Sequence, residues 1–149
     1  MPKVQQICTF LIGNQTFGVP VSQVQEVIRF QPITPVPLAP GVVDGMINLR
    51  GQIVIAIDLR RRLGLNRRAS GDPMNVIVRT AAGAVSLLVD KIGDVVEVDE
   101  DSFEPPPPTA PPETRELLLG IYKLQARLLH LLDTEKVCQV QIAAPAGTL

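Results

Sequence analysis

A chain of 149 residues with 46% hydrophobic and 19% charged content and a net charge of −1 reads as an ordinary globular protein, either one domain or two small ones. The near-neutral balance argues against nucleic acid as an obligatory partner, because binding phosphates needs a net basic face. Residues 1–6 have neither an apolar core nor a cleavage site, and the longest aliphatic run is residues 53–57. Export and direct membrane insertion are therefore not expected, and a cytoplasmic location is.

Taken in order, residues 7–12, the turn Gly13-Asn14-Gln15 and residues 16–21 read as a hairpin, with Phe17, Val19 and Val21 alternating with smaller residues. Ser22 with Gln25 has the form of a capping box. Val24, Val27 and Ile28 fall at i, i+3 and i+4, which predicts a short amphipathic helix carrying Glu26 off its apolar stripe. Pro32, Pro35, Pro37 and Pro40 then impose an extended connector with Ile33, Val36 and Leu38 turned inward. Residues 45–59 read as strand, turn, strand and capped helical turn. Met46, Ile47 and Leu49 begin the unit, Arg50-Gly51-Gln52 turn it, and the β-branched run at 53–57 completes the hairpin. Asp58 stands as N-cap before Leu59-Arg60-Arg61-Arg62-Leu63, and Gly64 sits where such a helix stops. Arg50 is the anomaly, a permanent cation between two strands expected to be largely buried. It is predicted to pair with Glu26.

Residues 66–73 are polar and turn-rich, a boundary between halves, after which the same order of elements returns. Offset by 68 residues, Phe17, Val19, Val21, Val24, Glu26 and Val27 fall on Val85, Leu87, Val89, Ile92, Asp94 and Val95; Asp90 is then expected to begin a second capped segment. Offset by 75, Gly45, Met46, Leu49, Ile53, Val54, Ile57 and Asp58 fall on Gly120, Ile121, Leu124, Leu128, Leu129, Leu132 and Asp133. The proline-rich run at 104–113 is stiff polyproline II. It reads as a spacer between strands rather than as an SH3 ligand, since apolar elements resume directly after it. Two repeats of short strands suggest paired small barrels packed on a shared core, with a groove between them. The expected division is one domain over 1–149, with a first barrel near 14–70, a second near 71–137, and strands possibly exchanged between them.

No catalytic constellation is visible. His130, the single histidine, aligns with Ile55 inside a strand and reads as a core or barrel-surface residue, and the serines lack a nucleophile setting. Metal-ligand spacing and a phosphate-binding glycine loop are absent, so neither metal nor cofactor is expected. Asp58 and Asp133 look like paired carboxylates, yet both stand where a helix begins. Cys8 and Cys138 lie inside apolar patterns and read as buried thiols rather than a bridge. Arg60, Arg61, Arg62, Arg67 and Arg68 crowd one stretch, and Glu97, Asp99, Glu100, Asp101 and Glu104 another. They read as a solvated helix surface and a solvated loop rather than docking patterns, and the arginine cluster does not read as a nucleic-acid site.

Several pieces together resemble the CheW family of bacterial chemotaxis coupling proteins. They are Val24-Gln-Glu-Val27, the spaced prolines around Pro35-Val-Pro37, Gly45-Met-Ile-Asn-Leu-Arg-Gly51, Ile57-Asp-Leu-Arg60, Leu88-Val-Asp90, Asp94-Val95 and the 120–133 segment. The resemblance implies two five-stranded SH3-like β-barrels, no enzymatic activity, and two partners. These are the cytoplasmic tip of methyl-accepting chemoreceptors and the regulatory domain of the histidine kinase CheA. It also implies that Val24, Glu26, Arg50 and Gly51 form the partner-binding region, with kinase contact made barrel end to barrel end. The family often has proline where this chain has Ile55, and an Asp-Gly turn where it has Gln125-Ala126, a pair unsuited to positive φ. The alternative from another class is a regulatory module of the same fold that binds a peptide or small ligand outside chemotaxis, for which a deep apolar pocket is expected.

Overall fold

A computed structural model of the chain describes residues 4–37, 39–65 and 72–139. Alternating apolar positions organise it into two mixed sheets. The elements run β1 (Val4–Ile12), β2 (Gln15–Pro20), β3 (Val24–Ile28), β4 (Val43–Leu49), β5 (Gln52–Asp58), α1 (Leu59–Arg62), β6 (Met74–Thr80), β7 (Gly83–Val89), β8 (Lys91–Asp99), β9 (Phe103–Glu104), α2 (Pro112–Glu116), β10 (Leu118–Lys123), β11 (Leu128–Leu132) and α3 (Thr134–Cys138). One sheet has six strands in the order β8-β1-β2-β11-β10-β9, and the other has five in the order β3-β6-β7-β5-β4. Mainly β structure with a few short helices is the fold class the sequence leads one to expect.

Each sheet takes strands from both halves of the chain. The β1–β2 hairpin joins β10 and β11 of the second half, and the β6–β7 hairpin joins β4 and β5 of the first. The joints are parallel pairs, β2 with β11 and β7 with β5, and they match residue for residue. Phe17 stands opposite His130 in one joint and Val85 opposite Ile55 in the other, the positions related by the two sequence offsets. The bulge between Val43 and Gly45 in β4 recurs between Leu118 and Gly120 in β10.

The main core lies between the sheets. Phe10, Phe17 and Leu132 from the six-stranded sheet pack with Ile57, Val76 and Leu87 from the five-stranded one, closed at one end by Leu59 of α1 and Val137 of α3. A smaller apolar cluster lies in each sheet, around Ile47 and Val54 in one and around Tyr122 and Leu129 in the other. Burying these side chains away from water supplies the main driving force. Asp58 accepts from the backbone N–H groups of Arg60 and Arg61, and Asp133 from that of Lys136, so the two matched carboxylates are helix caps. Cys8 and Cys138 are free thiols. Burial pushes both up, Cys138 to about 12, with the neighbouring Glu135 charge adding to the shift there.

Four local expectations need correction. Residues 24–28 are an edge strand, not a helix; Val24, Glu26 and Ile28 are half-buried while Gln25 and Val27 are exposed, so the i, i+3, i+4 spacing came from a valine on the outer face of a strand that also carries a bulge between Val24 and Glu26. Val24 and Ile28 turn inward, and pairing with β6 overrides any local helical tendency of so short a segment. Asp90 starts no helix, since β8 follows at once. Its carboxylate instead accepts from Gly13 N–H at 2.7 Å and from Arg60 Nε at 3.0 Å and Nη2 at 2.6 Å. Arg60, Arg61 and Arg62 are accordingly ties rather than a solvated surface. Arg61 donates to Gly41 O and Arg62 to Val137 O, while Arg67 and Arg68 lie outside the described residues. Arg50, expected to be buried, is mostly exposed. Of the inward-turned residues of the first connector, Ile33 and Val36 are half-buried, and Leu38 lies outside the described residues.

Gly120 is required by close approach. A Cβ there meets the Glu104 carbonyl and comes within 2.6 Å of Phe103 Cε1, whereas one at Gly41 meets nothing. Gly120→Ala is expected to lower stability in urea by about 2–3 kcal/mol, and Gly41→Ala to stay within about 0.5 kcal/mol of the parent. The clamp at Asp90 is also testable. It links α1, which follows the five-stranded sheet, to the β1–β2 turn of the other sheet, and both Arg60 and Asp90 are less than one-fifth exposed. Asp90→Ala strands the Gly13 donor and leaves the guanidinium without its main acceptor, an expected loss of about 1–3 kcal/mol in the same unfolding measurement.

Candidate functional site

The β4–β5 hairpin ends in a two-residue loop, Arg50-Gly51, closed by the Leu49–Gln52 pair. Both loop residues take positive φ, +51° at Arg50 and +88° at Gly51, as a type I′ turn demands of its central pair. Glycine accepts this freely and arginine does not; Arg50 is the only non-glycine residue with positive φ among the described residues. The Asn48 side chain completes the turn, its Oδ1 accepting from Gly51 N–H at 2.8 Å.

So held, the Arg50 side chain crosses to β3, at the opposite edge of the five-stranded sheet. Nη1 donates to Glu26 Oε1 at 3.1 Å and Nη2 to Glu26 Oε2. The segment after β3 is tied to β4 as well, by mutual backbone hydrogen bonds of 2.8 Å between Thr34 and Met46. The two edges of the sheet are thereby drawn together. The expected Arg50–Glu26 pair is thus formed, with the Arg50 side chain 68% and Glu26 23% exposed. Its hydrogen bonds to Arg50 hold the Glu26 carboxyl below the usual carboxylate range and raise the Arg50 guanidinium in turn.

Magnitudes decide what the pair is for. An exposed ion pair is weak in water and screened by salt, whereas the left-handed conformation costs a non-glycine residue about 1–2 kcal/mol. Stability alone does not account for an arginine at this position. Strain of this kind collects where a side chain must be presented in a set direction.

Of the four residues expected at the site, Glu26, Arg50 and Gly51 are brought together. Val24 lies two residues away and packs into the main core. The sequence reading did not pick out Ile53, which stands opposite Asn48 beside the turn and is 59% exposed, an apolar neighbour to the charged tip. Its place in an apolar run concealed it. The His130 ring lies 5.0 Å from that of Phe17, with Nδ1 2.8 Å from Thr16 O, a packing role at the joint between the halves. Among the described residues no cluster of three potential metal ligands occurs, and no helix is long and apolar enough to cross a membrane.

The CheW-like domain family model matches residues 6–141. The chain belongs to the CheW family. The chemotaxis protein CheW of Rhizobium meliloti is 31% identical over 135 residues, which cover 89% of this chain and 86% of that protein. The chemotaxis protein CheW of Klebsiella aerogenes is 32% identical over 135 residues, 89% of this chain and 81% of that one. Among solved structures, the scaffolding protein TtCheW from Thermoanaerobacter tengcongensis superposes with a TM-score of 0.84 at 31% identity, covering 95% of each chain. The fold is therefore CheW-like, and its family consists of scaffolds and adaptors of chemotaxis signal transduction rather than enzymes.

The ion pair makes a pH-dependent statement. A carboxyl lowered on folding adds stability above its unfolded value near pH 4.3, and this contribution fades as pH falls through the lowered folded value. Arg50→Ala is expected to raise the Glu26 midpoint to the ordinary carboxylate range, read by NMR titration of the Glu26 side-chain carboxyl carbon.

Proposed function

We propose that this CheW-family chain couples chemoreceptors to the histidine kinase CheA, working without catalysis by holding two proteins at once on the cytoplasmic side of a receptor array. The observation that carries the receptor half of the reading is the exposed, strained Arg50 turn. Glu26 fixes its guanidinium in direction while leaving most of the side chain open to a partner. Arginine is well suited to such a role, having a planar set of donors and a weakly hydrated charge. Gly51 supplies the second positive φ of the turn, and Val24 anchors β3 to the core, so these two shape the site more than they touch a partner. The kinase half of the reading rests on the family likeness, with the CheA regulatory domain taking a barrel end. The paired sheets act as the two barrels of a single domain spanning 1–149.

The test is charge reversal. Arg50→Glu is expected to keep the native circular dichroism and melting behaviour, still bind the isolated CheA regulatory domain, and lose at least about tenfold in affinity for a chemoreceptor tip fragment. Kinase activation in the reconstituted ternary complex falls with it. Full activation by a folded Arg50→Glu protein removes Arg50 from the coupling site.

A further inference from the structure

The internal repeat provides a control for the Arg50 turn. At the offset of 75 residues, Asn48, Arg50, Gly51 and Ile53 correspond to Lys123, Gln125, Ala126 and Leu128. The Asn48–Ile53 pair has its counterpart in the Lys123–Leu128 pair, so the two hairpins share one register up to that pair and place four residues beyond it; in the first these include the further pair Leu49–Gln52, in the second all four form the loop. The second loop closes through Leu124 N–H donating to Arg127 O at 2.8 Å, and neither Gln125 nor Ala126 takes positive φ. The fold thus joins the equivalent strands over the same four positions without a left-handed residue, by an open four-residue loop instead of a two-residue turn. Moreover, Gln125 is uncharged, and Asp94, the counterpart of Glu26, meets no cation from that turn. The left-handed arginine, its acidic partner and the side-chain clamp on Gly51 therefore occur together in one half, and the other half folds with none of them.

We infer that Asn48 is a positioning residue for partner docking: by accepting the Gly51 N–H it holds the turn in the form that aims Arg50 across the sheet edge at Glu26 and outward to the partner. The inference rests on the reading of Arg50 as the receptor contact and extends it to a residue that need not touch the partner. The geometry is specific. Gly51 N–H lies inside the loop, where the hairpin pairing supplies no acceptor, and Asn48 Oδ1 reaches it from three residues back, the usual reach of a short side chain capping a turn. Removing that acceptor frees the loop to relax toward the form adopted by Gln125-Ala126, in which the residue at position 50 points elsewhere. Asn48 is itself exposed and lies outside the buried core, so its replacement leaves the sheets intact.

The experiment uses the full chain in five forms: the parent, Asn48→Ala, Arg50→Ala, the double variant, and Asn48→Asp as the conservative replacement that keeps an acceptor oxygen. Two quantities are read, the NMR titration midpoint of Glu26 and the affinity for a chemoreceptor tip fragment by calorimetry at low salt. Asn48→Ala is expected to raise the Glu26 midpoint part of the way toward its value in Arg50→Ala and to weaken binding about fivefold. Asn48→Asp restores most of both, and the double variant binds no more weakly than Arg50→Ala alone. A merely structural effect of Asn48 lowers affinity by the same factor in both backgrounds, and that additive result overturns the inference. An unchanged Glu26 midpoint in Asn48→Ala overturns it as well, while leaving Arg50 as the receptor contact if Arg50→Ala binds weakly. If instead Arg50→Ala binds as tightly as the parent, the receptor-contact reading has failed, and the docking role of Asn48 falls with it.

Discussion

Exchange of hairpins between the two halves is the constraint on which the rest of the molecule depends. Neither half has a complete sheet of its own: β4 and β5 need β6 and β7, and β10 and β11 need β1 and β2. The parallel joints that satisfy them bring side chains from both halves into one apolar interior. A lone repeat would leave strand edges unpaired and its apolar face in water. Long-range pairing of this kind also fixes where the helices go, because α1 follows β5 and α3 follows β11, strands of the two parallel joints, and each packs a side chain into the shared core.

On this near-symmetric frame the differences between halves carry the information. The turn after β1 gives its Gly13 N–H to Asp90, which is held in turn by Arg60. The equivalent turn after β6 gives its Ala81 N–H directly to Glu135, the residue that corresponds to Arg60. One structural requirement, an acceptor for a turn donor, is met by two different arrangements of charge. The β4–β5 turn is another matter, since its strained arginine answers to no requirement that its counterpart shares. A protein that must present different surfaces to different partners from duplicated elements needs such departures, and they are found at a loop tip, where a change costs the core nothing.

Much of the frame was legible in the sequence because strand alternation, turn residues and the two offsets agreed with one another. The unit from Gly45 to Leu59 could be read nearly residue by residue, and so could the Asp58 and Asp133 caps. The strand at 24–28 could not, because an outward-facing Val27 beside the inward-facing Val24 and Ile28 imitates a helical period over five residues, and only the partner strand β6 distinguishes the two. Asp90 and the arginines of α1 were misread for a related reason. The hydrogen-bond partners of these side chains lie 20 or more residues away, and no local pattern marks a side chain that ties distant segments together. Within the site, the Arg50–Glu26 pair was legible, whereas the exposure of Ile53 and the clamp by Asn48 depend on the handedness of one loop.

The exchanged hairpins have a further consequence, for how such a scaffold arises. A single repeat built on the same plan would satisfy its sheet only by trading hairpins with a second copy, as an intertwined homodimer whose integrity would depend on concentration. Joining two copies in one chain makes that trade unimolecular. It also releases the two copies from identity, so that one loop tip can carry a strained arginine while its twin carries glutamine, a difference that no symmetric dimer of one gene product can have.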